Sequence, residues 1–145
     1  MNKDNANSSN KKKIFRIAGI IGMVYFTGGA ALYYLQKKLM LHPKQLPPNY
    51  KFQFSFPFKE LFIDIEPGVR INGLHFFSKD SIGLILYLHG NTRSIKGWAK
   101  YAKDFYRYHY DVVLVDYRGF GKSTGKRGEK AMFRDMQVVY DTLAV

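Results

Sequence analysis

Nineteen consecutive residues without a charge, Ile17 to Leu35 (IAGIIGMVYFTGGAALYYL), constrain this chain more than any other feature. At about 1.5 Å of rise per residue, a helix of that length spans roughly 28 Å, close to the roughly 30 Å of a bilayer's hydrocarbon core. Lys11, Lys12, Lys13 and Arg16 precede it, Lys37 and Lys38 follow it, and Tyr33 and Tyr34 lie where interfacial aromatics belong. A helix buried in a soluble core normally carries a polar stripe, and none is present. The sequence therefore predicts a transmembrane anchor helix over 14–40, with the lipid bilayer as its partner through 17–35. A cleavable signal peptide is the rival reading, since Gly29 and Ala31 are small residues spaced for cleavage after Ala31. The apolar run continues to Leu35, which favours an uncleaved anchor. The charge bias between the two flanks is slight; it places the N-terminus inside and the remainder on the extracytoplasmic side of a single-pass membrane protein.

The 145 residues hold 23 Lys and Arg against 11 Asp and Glu, a formal charge of +12. Such a surplus suits a nucleic-acid partner when it gathers on one face. Here much of it flanks the apolar run and the rest is scattered, so no nucleic-acid partner is expected. Zero cysteines exclude disulfides, thiolate metal sites and a cysteine nucleophile. The histidines and carboxylates show no H-x-x-x-H or paired-ligand spacing, so His75 and His109 read as ordinary surface or strand residues; no metal or cofactor is expected. Residues 1–13, rich in Asn and Lys, read as a disordered basic tail. Residues 41–55, marked by Pro43, Pro47 and Pro48, read as a linker.

From residue 56 the pattern is that of an α/β domain. Leu61–Ile65 (LFIDI) and Arg70–Phe77 read as strands joined by a Glu66-Pro67-Gly68 turn, close enough to form an antiparallel hairpin. Leu84–Leu88 (LILYL) and Val112–Val115 (VVLV) are apolar on both faces, as strands of a covered sheet must be. Between them Trp98, Tyr101, Ala102 and Phe105 fall at helical spacing, in a helix from Trp98 to about His109. A final helix from about Glu129 carries Met132, Met136, Val139, Tyr140 and Leu143 at intervals of three and four. Strand, helix, strand, helix with short links predicts a parallel unit with right-handed crossovers.

Two motifs follow the two buried strands: LYLHGN, ending in His89-Gly90-Asn91, and DYRGFGKS, from Asp116 to Ser123. In this order, behind a hairpin and around a helix, they resemble the α/β-hydrolase superfamily, above all its membrane-anchored serine-hydrolase branch. The resemblance runs from about Pro57 to the end. It implies an incomplete α/β-hydrolase fold over 56–145, an N-terminal hairpin plus βαβα. It further implies that the residue after His-Gly, Asn91, offers a backbone N–H to an oxyanion, with His89 and Gly90 shaping its loop. A donor on a rigid scaffold serves such a role without reorganising. Asp116, Tyr117 and Arg118 are expected to brace the sheet's carboxyl end.

Two further patterns carry less than they promise. Gly121-Lys122-Ser123-Thr124-Gly125 satisfies G-x-S-x-G, but a nucleophile elbow needs its serine on a sharp turn directly between strand and helix, with acid and histidine later in the chain. Ser123 lies several residues past Val115, and His42, His75, His89 and His109 all precede it. The same segment lacks the first glycine of a phosphate-binding loop, Asp116 standing there, where a carboxylate would repel phosphate.

In the superfamily the elbow serine, acid and histidine come after a strand that follows this last helix. The triad is thus expected to be absent from this chain, which is read as a truncated homologue without turnover of its own. The full-length relative would hydrolyse an ester, thioester or amide of a small acyl substrate through an acyl-serine. Two other classes stay open: a P-loop-like nucleotide binder using Lys122, Ser123 and Thr124, and a small basic membrane-anchored interaction protein.

Overall fold

The computed structural model describes residues 3–40 and 42–144, of which 3–10 and 37–40 are described by their backbone alone. It divides into two compact units, Met1–Met40 and Leu41–Val145.

The first unit is one helix, α1 (Lys3–Met40). Within its Lys11–Gln36 stretch an 18-residue segment reaches a mean hydropathy of 1.5 and none of that segment is buried, so the helix is long and apolar enough to cross a membrane. Residues 3–13, expected as a disordered tail, continue the same helix. The reason is local: nothing between Lys3 and the apolar run breaks a helix, since neither Pro nor Gly occurs before Gly19.

The second unit contains β1 (His42–Pro43), β2 (Phe58–Glu66), β3 (Val69–Phe76), β4 (Gly83–Leu88), β5 (Thr92–Arg93), α2 (Ile95–Trp98), a 3-10 turn (Ala99–Tyr101), α3 (Ala102–Tyr106), β6 (Tyr110–Val115) and α4 (Glu129–Leu143). The main sheet has the order β2-β3-β6-β4. β2 and β3 form the expected antiparallel hairpin, from Phe58 opposite Phe76 to Glu66 opposite Val69. Pro67 enters its turn with a fixed φ, and Gly68 completes it at φ +78°, which a side chain would strain. β3 runs antiparallel to β6, and β4 runs parallel to β6, Gly83 opposite Tyr110 and Leu88 opposite Val115. A parallel pair needs a crossover, and α2 through α3 supply it.

β6 is an interior strand, and its Val112 to Val115 are at most 1% exposed because it is covered on both faces. On one face Leu74, Phe76, Val112 and Leu114 pack with Ile95, Ala99 and Ala102. On the other, Ile63, Ile71, Val113 and Val115 pack with Val139 of α4. The helix expected over Trp98–His109 starts earlier, at Ile95, and is broken by the 3-10 turn.

The segment expected as a linker belongs to the core. Leu46 and Phe52 are buried in it, with Tyr50, Phe54 and Phe56 packed alongside. Phe54 meets Phe58 and Phe76 edge-on at 5.2 Å. Tyr50, Phe52, Phe54, Phe56 and Phe58 alternate at every second residue, so an extended chain turns them all to one side. The three prolines mark a segment outside the main sheet, yet its burial follows from those rings.

β4 ends the sheet, and no strand pairs with its outer edge among the described residues. It carries no charge and no proline, the usual devices against edge pairing. Leu84 and Leu88, on the α4 side, are 40% and 47% exposed. The full chain in detergent is expected to self-associate as concentration rises, and Leu88→Lys to shift the equilibrium towards monomer. Light scattering that finds the two proteins alike would remove the edge as the cause.

Candidate functional site

β4 and β6 are parallel, so the loops leaving Leu88 and Val115 emerge at the same carboxyl end of the sheet. Asp116, fully buried, joins them. Its Oδ1 accepts the Ile95 N–H at 2.9 Å and lies 3.1 Å from His89 Nε2. Burial pushes the Asp116 carboxyl up, against the pull of the His89 ring and the Ile95 N–H. His89 is itself buried, 4.8 Å from the Tyr117 ring and 5.4 Å from that of Phe120 between centroids.

The loop after β4 is held by its carbonyl groups, residue after residue. Tyr117 donates its hydroxyl to His89 O at 2.9 Å. Gly90 O accepts the Thr92 N–H at 2.9 Å and lies 2.7 Å from His89 Nδ1. Asn91 O accepts the His42 N–H at 3.0 Å, Thr92 O the Trp98 indole N–H at 2.9 Å, and Arg93 O the Lys44 N–H at 2.9 Å. Through all of this the Asn91 N–H meets no acceptor among the described residues, and Asn91 itself is exposed.

The second loop is braced as firmly. Ser123 is buried; its hydroxyl donates to Asp116 O at 2.7 Å and accepts the Asn72 N–H at 2.8 Å. Lys122 Nζ is paired with Glu60 at 2.9 Å and lies 5.1 Å from the centre of the Phe52 ring. Arg118 grips Asp135 with two nitrogens and Glu66 with a third.

Residues 79–144 match a protein-family model described as serine aminopeptidase, S33. The human protein ABHD12B is 38% identical over 65 residues, 43% of this chain and 18% of that protein. The fission-yeast (Schizosaccharomyces pombe) protein bem46 is 23% identical over 141 residues, 90% of this chain and 47% of its own length. Among solved structures, an esterase of Pyrococcus furiosus superposes with a TM-score of 0.51 at 25% identity, covering 72% of this chain and 41% of that one. The chain is an α/β-hydrolase relative. It spans less than half the length of these proteins and carries a fragment of the α/β-hydrolase fold.

Within this part of the fold the expected site residues divide. His89 and Gly90 shape the loop, but His89 does so from beneath, its side chain committed to Asp116 and Gly90. Asn91 stands at the surface. Asp116, Tyr117 and Arg118 brace the carboxyl end, as their placement suggested. His75 is a half-buried strand residue bonded to Asp111 at 2.9 Å, and His109 lies 3.0 Å from Lys79 O. No cluster of potential metal ligands occurs among the described residues. Sequence reasoning missed Trp98, His42 and Lys44 as supports of the loop. Two of them act through backbone N–H groups, which every residue but proline possesses, so no residue type announced them.

Proposed function

We propose that this chain supplies the oxyanion-binding arm of a membrane-anchored serine hydrolase, and that Ser123 is not its nucleophile. The observation carrying this reading is the Asn91 N–H, left without an acceptor on a loop whose carbonyl groups are all engaged. A donor fixed in that way at the mouth of a parallel sheet is what a developing alkoxide needs, because it pays no reorganisation when charge appears. The reaction class is acyl transfer from an ester, thioester or amide to a serine, then to water.

Ser123 does not serve as that serine here. Its hydroxyl proton goes to Asp116 O and its oxygen accepts the Asn72 N–H, while His89 is spent on Asp116 and Gly90. No base stands ready to take its proton. Nor does Lys122 reach for a phosphate, being paired with Glu60. The purified chain is expected to hydrolyse p-nitrophenyl acetate no faster than buffer, and Ser123→Ala to leave that rate unchanged. Turnover abolished by Ser123→Ala would overturn the reading.

α1 provides the anchor, and the second unit lies on the extracytoplasmic side. Alkaline carbonate should leave the chain in the membrane pellet. Protease added outside intact cells or vesicles should degrade the second unit; its complete protection would reverse the orientation.

A further inference from the structure

Arg93 adopts φ +67°. A left-handed backbone strains a residue with a side chain, and such strain persists only where the surroundings over-determine it. What surrounds Arg93 is the segment 42–46. β1 pairs in parallel with β5, His42 opposite Thr92 and Pro43 opposite Arg93. The Lys44 N–H binds Arg93 O at 2.9 Å, and two residues upstream the His42 N–H binds Asn91 O at 3.0 Å. The same segment then crosses to the second loop, where Gly121 donates its N–H to Lys44 O at 3.0 Å and accepts the Leu46 N–H at 2.8 Å. Leu46 is buried in the core beyond. One short stretch therefore ties both carboxyl-end loops together by four backbone hydrogen bonds.

We propose that residues 42–46 are a positioning strap for the oxyanion loop: they hold Arg93 in its strained conformation and so keep the Asn91 N–H turned away from any internal acceptor. This rests on the reading of Asn91 as the oxyanion donor and adds to it a set of positioning residues, His42, Lys44 and Leu46, none of which touches substrate. The strap reaches the oxyanion loop through the His42 and Lys44 N–H groups, so proline is the substitution that removes such a bond while alanine preserves it.

The test uses the full chain in detergent micelles. Lys44→Pro deletes the bond to Arg93 O, and Lys44→Ala keeps it. In Lys44→Pro, hydrogen exchange of the Thr92 amide, which is bonded to Gly90 O, is expected to speed up by roughly tenfold or more, as loss of about one hydrogen bond's worth of local stability implies. Arg93 backbone chemical shifts should leave the left-handed range, while the β6 amides stay as protected as in Lys44→Ala. A merely structural contact would not respond to relief of strain, so Lys44→Pro/Arg93→Gly supplies the decisive readout. Glycine bears no penalty at positive φ, and the double variant is expected to regain slow exchange at Thr92. If Lys44→Pro and Lys44→Ala exchange alike, or protection falls equally in β6, or Arg93→Gly rescues nothing, the strap is refuted. Those outcomes leave the acyl-transfer reading intact, since that falls only to the hydrolysis assay.

Discussion

Gly121→Ala is expected to lower the stability of the second unit by about 3 kcal/mol or more, the range of core changes that combine overpacking with backbone strain. Gly121 sits at φ +49°, where a side chain is disfavoured. A Cβ there would collide with Asp116 Oδ2. The carboxylate cannot retreat, because its other oxygen holds the Ile95 N–H and faces His89, and Asp116 is fully buried. Nor can the backbone of Gly121 move, tied as it is to Lys44 and Leu46. Urea unfolding followed by Trp98, the chain's single tryptophan, measures the loss. Asp116→Ala alone should also destabilise, by leaving the Ile95 N–H without its acceptor. Combining the two removes the clash, so the double variant should lose less than the sum. A Gly121→Ala protein as stable as the parent would mean that the glycine is not forced by the carboxylate.

Asp135→Ala is expected to cost about 3–5 kcal/mol, the usual penalty for breaking a buried ion pair by removing one partner. Asp135 is 1% exposed, and the Arg118 side chain gripping it is 8% exposed. Without Asp135 the guanidinium keeps only Glu66, at 2.8 Å, and two of its nitrogens lose their acceptors. Replacing both partners, Arg118→Met with Asp135→Leu, should cost less than Asp135→Ala, because no orphaned charge remains. The same urea titration decides; a double variant worse than the single one would show that the pair is worth more than its desolvation.

The third member of that cluster adds a pH dependence. The hydrogen bond from Arg118 holds the Glu66 carboxyl below its ordinary 4.5, with Arg134 helping and partial burial opposing. Its folded pKa lies below the unfolded one, so the stabilisation is present above about pH 5 and fades as the pH falls through the folded value. Acid should therefore reduce the stability of the parent more steeply than that of Glu66→Gln.

The elements best legible in the sequence were those set by local pattern. The two-sided apolar runs at Leu84–Leu88 and Val112–Val115 read as covered strands; both are strands, but only the second is buried on both faces, Leu84 and Leu88 standing exposed in the edge strand. The Pro67-Gly68 turn set the hairpin, and uncharged length alone marked the apolar stretch of α1. The spacing of Ser123 from strand and helix spoke against an elbow, and bracing was expected only of Asp116, Tyr117 and Arg118; that Ser123 also braces the loop, through Asp116 O and the Asn72 N–H, emerged from the fold. Less legible was the segment 42–58, where Pro43, Pro47 and Pro48 outweighed a clear alternation of five aromatic rings. The early start of the crossover helix, at Ile95, was also hidden, since Ile95 is placed by its N–H bond to Asp116, 21 residues away.

Periodicity and composition act between neighbours in the chain, and so the apolar helix, the strands and the positions of the loops that follow β4 and β6 could be read from residue order. Tertiary structure alone decided which groups of the site are free. The Asn91 N–H meets no acceptor among the described residues while the carbonyl groups around it are engaged by His42, Lys44, Trp98 and Tyr117, and Gly121 is a glycine because a carboxylate from another turn of the loop fills the space of its side chain. Hydrogen bonds between backbone groups distant in sequence depend on position and not on residue type, and only the folded chain brings those positions together.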